Sequence, residues 1–119
     1  MRISELSAKT KVSVHRLRRY ETAGLIASQR LNNGYRDYDE KTVKHVVFIA
    51  MSREMGFSLS FIGEYLPKFQ SGKLTPQEMI EAIHRRVSEI DKVIAEQKVL
   101  KKMLLSHIGW FEAKQRKAK

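Results

Sequence analysis

Apolar positions change their spacing several times along the chain, and each change marks an element. Leu6 lies inside a short polar stretch, where Ser4 is suited to cap a first helix over residues 5–9. Thr10-Lys11-Val12 reads as a tight turn, and Ser13 as the cap of a second helix. Val14, Leu17 and Tyr20 form one side of that helix, and Gly24-Leu25 provides a left-handed stop. Two short helices joined by such a turn predict a helix-turn-helix. The spacing then becomes two. Ile26 and Leu31 flank a polar stretch, Asn32-Asn33-Gly34 is a hairpin turn, and Tyr35-Arg36-Asp37-Tyr38 alternates aromatic and charged residues. A small β-hairpin wing is expected there.

Helical spacing returns at Asp39, which is placed to cap a third helix ending at Gly56. Its buried stripe is expected from Val43, Val46, Val47, Ala50 and Met51. Ser58 caps a fourth helix, with Leu59, Ile62 and Leu66 inward and Pro67 as its stop; Gly56-Phe57-Ser58 is expected to make a second projecting edge. Thr75-Pro76-Gln77-Glu78 combines an N-cap, a first-turn proline and a capping-box glutamate. No Gly or Pro follows until Gly109, which predicts a helix of about 30 residues and about 45 Å. Ile80, Ile83, Val87, Ile90 and Ile94 recur at intervals of three and four, a coiled-coil seam. The strict register continues through polar Gln97 and Lys101 to Leu104, while Leu100 and Met103 widen or shift the stripe. Such a helix either pairs with a second copy of itself or folds back on the preceding core.

The expected architecture is mainly α. Residues 1–70 form a winged helix-turn-helix DNA-binding domain with a small β-hairpin wing. Residues 71–75 are a linker, 76–107 a long antiparallel coiled-coil dimerisation helix, and 108–119 a short basic tail.

Charge sharpens this picture. The 119 residues hold 23 Lys and Arg against 13 Asp and Glu, a net charge of +10. That surplus points to a polyanion, double-stranded DNA before membrane. Lys9, Lys11, Arg16, Arg18 and Arg19 form an acid-free cluster, and the basic residues from Lys114 onward are either a solvated tail or a loose phosphate contact. There is no cysteine, which excludes disulfides and thiolate metal sites. The histidines His15, His45, His84 and His107 lack metal-ligand spacing, so no metal site or cofactor is expected. No nucleophile or acid–base constellation suggests an enzyme. The longest apolar run, six residues from Val46 to Met51, is far short of the roughly 20 that span a membrane. No signal peptide is visible, and a cytoplasmic location is expected.

On the second helix, Ser13, Val14, His15 and Arg16 stand at the N-terminal end, which meets base edges when a helix enters the major groove. Arg18 and Arg19 follow at phosphate-contacting range, and Arg36 on the wing adds a further fork.

Ile3-Ser4-Glu5-Leu6, Val12-Ser13-Val14 and Leu17 to Glu21, then Gly24-Leu25-Ile26, resemble the opening of MerR-family transcription regulators. Asn33 to Asp39 is similar to that family's wing motif, and Met55 to Leu59 with Ile62 to its next signature. The similarity runs collinearly over about residues 1–66. It implies a homodimer joined by an antiparallel coiled coil that binds an inverted repeat between promoter elements. Many members distort an overlong spacer so that RNA polymerase meets both elements in register. By this resemblance Arg18, Tyr20, Tyr35 and Arg36 contact the DNA backbone, while His15 and Arg16 occupy the variable, base-selecting positions. Lys11 replaces the family's turn glycine, Arg19 replaces a common aromatic, and the cysteines of metal- and redox-sensing members are absent. No effector can be inferred. The competing reading is an architectural, nucleoid-type DNA binder without promoter control. Trp110 and Phe111 either pack on a partner subunit or line an effector pocket.

Overall fold

The computed structural model describes residues 1–118. Lys119, the last residue of the basic tail, lies outside the described residues. Five helices and one two-stranded hairpin follow in the order α1 (Ile3–Thr10), α2 (Val14–Thr22), β1 (Gln29–Arg30), β2 (Arg36–Asp37), α3 (Lys41–Glu54), α4 (Leu59–Gln70) and α5 (Pro76–Lys117). Two compact units divide at Pro76.

In the first unit, α1 starts at Ile3, two residues before the expected first helical residue Glu5. Ser4 lies inside the helix, and the cap position is Arg2, whose side chain makes no capping bond. The chain is fixed at this point from outside the helix: the Met1 α-amine donates to Asp37 Oδ1 at 2.7 Å and Met1 O accepts from Tyr38 N at 2.7 Å. That anchor delivers the backbone into the helix at Ile3. The Asp37 carboxylate, through this bond, raises the amine's pKa above its ordinary 8.0.

The α1–α2 turn closes through Lys11, the sole non-glycine residue with positive φ among the described residues (φ 60°). Ser7 holds it, its carbonyl accepting from Lys11 N at 2.9 Å and its hydroxyl donating to Val12 O at 2.6 Å. Ser13 caps α2, its side chain accepting from Arg16 N at 3.1 Å. The helix ends in a Schellman motif, with Leu25 N bonded to Tyr20 O, Gly24 N to Glu21 O, and Gly24 at φ 77°.

The hairpin pairs Gln29 with Asp37 and Arg30 with Arg36. Its turn is closed by Gly34 N to Leu31 O at 3.0 Å and by Leu31 N to Tyr35 O at 2.8 Å. Gly34, at φ 85°, supplies the left-handed residue this loop requires.

Asp39 opens α3 as expected in function, though one residue outside the assigned cap: its Oδ1 accepts from Lys41 N at 2.8 Å. The expected stripe is rotated. Val46 is buried, but Val43 and Ala50 are half-buried and Val47 and Met51 about half exposed. Helices α1 and α4 both pack on α3, and Thr42, Val46, Phe48, Ile49 and Ser52 are the residues buried. Reading only apolar residues missed this, because Thr42 and Ser52 fill core positions; Ser52 Oγ satisfies itself on Phe48 O at 2.8 Å. The Gly56-Phe57-Ser58 loop is anchored by its aromatic: Phe57 is buried and stacks on Phe61 at 4.4 Å.

Pro67 does not stop α4, which continues to Gln70. Proline removes its own donor but leaves its carbonyl, which accepts from Ser71 N. Beyond it Phe69 stacks on Phe48 at 4.3 Å, tying the last turn to α3. Leu66 and Ile62 are buried as expected, and Leu59 is half-buried.

The second unit is built on α5, which begins at Pro76 as its sequence predicts. It then runs 42 residues instead of about 30, or about 63 Å. It passes through Gly109, where a single glycine costs only about 1 kcal/mol and neighbouring helical turns continue.

Candidate nucleic-acid interface

The second helix presents arginines on two flanks because Arg16, Arg18 and Arg19 fall at different angles around it while Leu17 and Tyr20 are drawn into the core. On one flank Arg18 meets the wing. A cleft of about 620 Å³ there is lined by Arg2, Arg18, Arg30, Tyr35 and Arg36, together with Ile3, Ser4, Gly34 and Tyr38. Among the described residues no carboxylate lines it. On the other flank Arg16, Arg19 and Tyr20 line a cleft of about 290 Å³ with Arg53, Glu54 and Leu59.

Glu21 locks the wing to α2. Its Oε2 accepts from Arg36 Nη1 at 2.6 Å and from Ser28 Oγ at 3.4 Å, and its Oε1 accepts from the Tyr38 hydroxyl at 2.6 Å. Burial, then the bond to Glu21, raises the Tyr38 pKa above 10. Tyr38 itself is buried, whereas Tyr35 at the other end of the strand is about half exposed. The Arg2 guanidinium sits 3.9 Å from the centre of the Tyr35 ring, a cation–π contact that joins the start of α1 to the wing. In the hairpin register Arg30 stands directly opposite Arg36. Like charges opposed across a ladder repel. Glu21 compensates Arg36, and a bound polyanion would compensate both.

Among the residues singled out in the sequence, Arg18, Tyr35 and Arg36 therefore share one cleft, while Arg16, Arg19 and Tyr20 share the other. Ser13 is the helix cap, Val14 is half-buried, and His15 is exposed at the N-terminal end of α2. Tyr20 is only 3% exposed; its ring belongs to the core, and its hydroxyl accepts from Arg16 Nη2 at 2.8 Å. Sequence reasoning missed Arg2, Arg30, Arg53 and Glu21. Arg30 was recoverable, since the Asn-Asn-Gly turn fixes which residue faces Arg36. Arg2 and Arg53 come from distant elements and carried no local signal.

On α5, Ile80, Ile83, Val87, Ile90, Ile94, Leu100 and Leu104 are all exposed, as are Trp110 and Phe111. Trp110 and Phe111 meet edge to face at 4.6 Å, and Lys114 Nζ lies 4.2 Å from the Trp110 ring centre. A shallow space of about 380 Å³ is lined by Ser106, His107 and Trp110. Among the described residues no helix is long and apolar enough to cross a membrane.

This arrangement matches known proteins. Residues 1–68 match the family model described as MerR HTH family regulatory protein, and residues 43–107 match the model described as MerR, DNA binding. The chain belongs to the MerR family. It is thus a DNA-binding transcription regulator of MerR type, with that family's winged helix-turn-helix fold.

Relatives include the HTH-type transcriptional regulator HmrR of Rhizobium leguminosarum bv. viciae, 31% identical over 104 residues, covering 87% of this chain and 81% of that protein. The mercuric resistance operon regulatory protein of Bacillus cereus is 31% identical over 105 residues, covering 87% and 80%. Among solved structures, the MerR-type fold recurs in the transcription regulator PbrR691 from Ralstonia metallidurans CH34, in complex with lead(II). Its TM-score is 0.73 and its identity 26%, covering 89% of this chain and 83% of that one. HiNmlR, a MerR family regulator lacking the sensor domain and bound to promoter DNA, shares the fold at a TM-score of 0.58 and 22% identity, covering 82% and 75%.

Proposed function

We propose that this MerR-family chain acts as a cytoplasmic homodimer that binds promoter inverted repeats and distorts the spacer between promoter elements. RNA polymerase then reads the altered spacer, and transcription changes with the distortion. The observation that carries this reading is the acid-free cleft in which Arg18 of α2 and Arg36 and Tyr35 of the wing converge, with Arg2 and Arg30 beside them. A helix whose N-terminal end enters the major groove sets Val14 and His15 toward base edges. The cleft beside it then holds the sugar–phosphate backbone. Glu21 fixes the distance between the two by bonding the wing to α2.

The dimer is supported by α5. Its seam of Ile80, Ile83, Val87, Ile90 and Ile94, continued by Leu100 and Leu104, is exposed within the chain, and a matching helix in antiparallel pairing covers it. Trp110 and Phe111 then pack on the partner subunit. Two-fold symmetry of the protein requires a two-fold repeat in the DNA. The chain contains no cysteine, so any effector is recognised by other chemistry than thiolates within it.

The test is selection of bound fragments from random duplex DNA with the purified full chain. The expected outcome is an inverted repeat with one fixed half-site spacing. Tight, salt-sensitive binding without any enriched sequence would overturn promoter recognition in favour of an architectural role.

A further inference from the structure

The hairpin is too small to hold its own shape. Its strands are two residues each, and an isolated two-stranded hairpin is marginal in water. Side chains alternate along the extended chain, so Arg36 and Tyr38 share one face and Tyr35 and Asp37 the other. Glu21 grips the first face, through Arg36 Nη1 and the Tyr38 hydroxyl. Met1 and Arg2 grip the second. The Met1 α-amine donates to Asp37 Oδ1 at 2.7 Å and to Tyr38 O at 2.9 Å, and Met1 O accepts from Tyr38 N. Met1 and Tyr38 thus exchange both backbone bonds, as a hydrogen-bonded antiparallel pair does. The Met1 side chain is 2% exposed, and the Arg2 guanidinium lies over the Tyr35 ring.

We propose that the free, protonated α-amine of Met1 is a positioning group for DNA binding, acting through Asp37 on a wing that, on the reading above, holds the DNA backbone. Two effects follow from its contacts. The clamp fixes β2 relative to α1, as Glu21 fixes it relative to α2, and so sets where Tyr35 and Arg36 stand. The ammonium also neutralises Asp37, the carboxylate next to Arg36 in the strand. Without that charge Asp37 is an unpaired anion beside a surface that takes a polyanion, and like charges repel. Glu5 of α1 and Glu40 ahead of α3 act on the amine through their charges. Glu40 is paired with Lys9 Nζ at 3.2 Å, and Asp37 is the carboxylate bonded to the amine itself.

The experiment compares three forms of the full chain on the selected duplex: amine free, Met1 N-formylated, and one glycine added before Met1. Formylation is expected to weaken binding about three- to tenfold, the size of one partly exposed charge-assisted bond. The glycine, which moves the charge away from Asp37, should do the same. In Asp37→Asn the free and formylated forms should differ far less, because the partner of the charge is gone. Amide exchange at Tyr38, whose N–H is bonded to Met1 O, should speed up on formylation while exchange at Ile49 of α3 stays as it was; a general loss of stability would speed both. Affinity of the free form should also decline as pH rises through the amine's pKa, which the bond to Asp37 holds above 8.0. The formylated form should show no such decline over the same interval.

Equal affinity of the free and formylated chains, with Arg36→Ala weakened, would overturn the clamp alone. Equal affinity in all three would overturn the wing's contact with DNA, and the clamp with it. A loss on formylation that is as large in Asp37→Asn as in the parent chain would also overturn the clamp, since the effect would then not pass through Asp37.

Discussion

In residues 1–76 apolar side chains meet one another: Leu6, Leu17, Val46 and Ile49 show no surface to water. In α5 the same side-chain types at seam positions stand 38–59% exposed, from Ile83 at the low end to Leu104 at the high end. The first unit has Schellman-type helix ends at Gly24, Gly56 and Gly72, and those at Gly24 and Gly56 turn the chain into the next element of the same unit. The second unit is a helix without internal returns. Its stability as a helix of 42 residues depends on what covers the stripe. One chain thus contains a unit whose apolar side chains are covered by its own contacts and a helix whose apolar seam is exposed within the chain.

The sharpest way to break that contrast is a pair of truncations. Leu17→Ala removes a fully buried side chain of α2 and should cost about 2–5 kcal/mol. Ile90→Ala removes a similar volume from the seam. Denaturant titrations at several protein concentrations separate the two. The Leu17→Ala loss should appear at every concentration, whereas the Ile90→Ala loss should grow as the protein is diluted and be matched by a shift toward 13.9 kDa in sedimentation. Equal, concentration-independent losses would show that α5 is covered by its own chain.

Next in size is Glu21→Gln. This side chain holds Arg36, Tyr38 and Ser28 together while only 18% exposed. Charge-assisted bonds of this kind contribute about 1.5–3 kcal/mol each before compensation, and glutamine keeps the shape while losing the charge. The expected result is a loss of about 1–3 kcal/mol. The Tyr38 phenol should also titrate closer to its ordinary 10, because the bond to Glu21 is one cause of its raised pKa and burial remains as the other. Ultraviolet titration of the variant measures this directly.

Much of the first unit was legible because its signals are local. Ser13 and Ser58 cap the helices they precede, Gly24 and Gly56 end the helices they follow, and Asn-Asn-Gly makes the turn. Local chemistry failed where tertiary contacts decided. Met1 pulled the start of α1 forward by pairing with Asp37, and Phe69 carried α4 past Pro67 by stacking on Phe48. Val47 and Met51 pointed outward while Thr42 and Ser52 filled the core between α1, α3 and α4. The candidate interface divides in the same way. Arg18 and Arg36 could be chosen from one helix and one strand, and Arg30 follows from the hairpin register, but Arg2 and Arg53 reach their clefts from sites the sequence does not connect. The split of the α2 arginines between two clefts depends on helix orientation, which only packing fixes.

A smaller effect sharpens the comparison within the first unit. Lys11 occupies the left-handed turn between α1 and α2 at φ 60° and ψ 23°. A side chain there costs about 1 kcal/mol relative to glycine. Lys11→Gly is expected to raise stability by about that amount, with the gain reduced by glycine's greater freedom when unfolded. A gain in the thermal midpoint of a few degrees, without change in the dilution dependence set by α5, is the expected result.

The smallest predicted effect is a dependence on pH carried by His45. Its ring lies edge-on to Phe69 of α4, with centroids 6.4 Å apart. Burial lowers its pKa below 6.5, opposed by the charge of Asp39 and assisted by that of Lys41. The folded state therefore binds this proton less readily than the unfolded chain. Its contribution to stability is fully present above 6.5 and declines as pH falls through the lower folded value. The raised groups behave in the opposite sense and elsewhere: the Met1 amine loses its contribution as pH rises above 8.0, and Tyr38 as pH rises above 10. Between pH 7.5 and 5 the His45 effect stands apart from both. Denaturation midpoints should fall over this interval in the parent chain and fall less in His45→Phe, which keeps the aromatic contact and cannot take a proton. Identical pH profiles for the two would assign the acid sensitivity to other groups, and would remove His45 from any account of how α3 and α4 are held together.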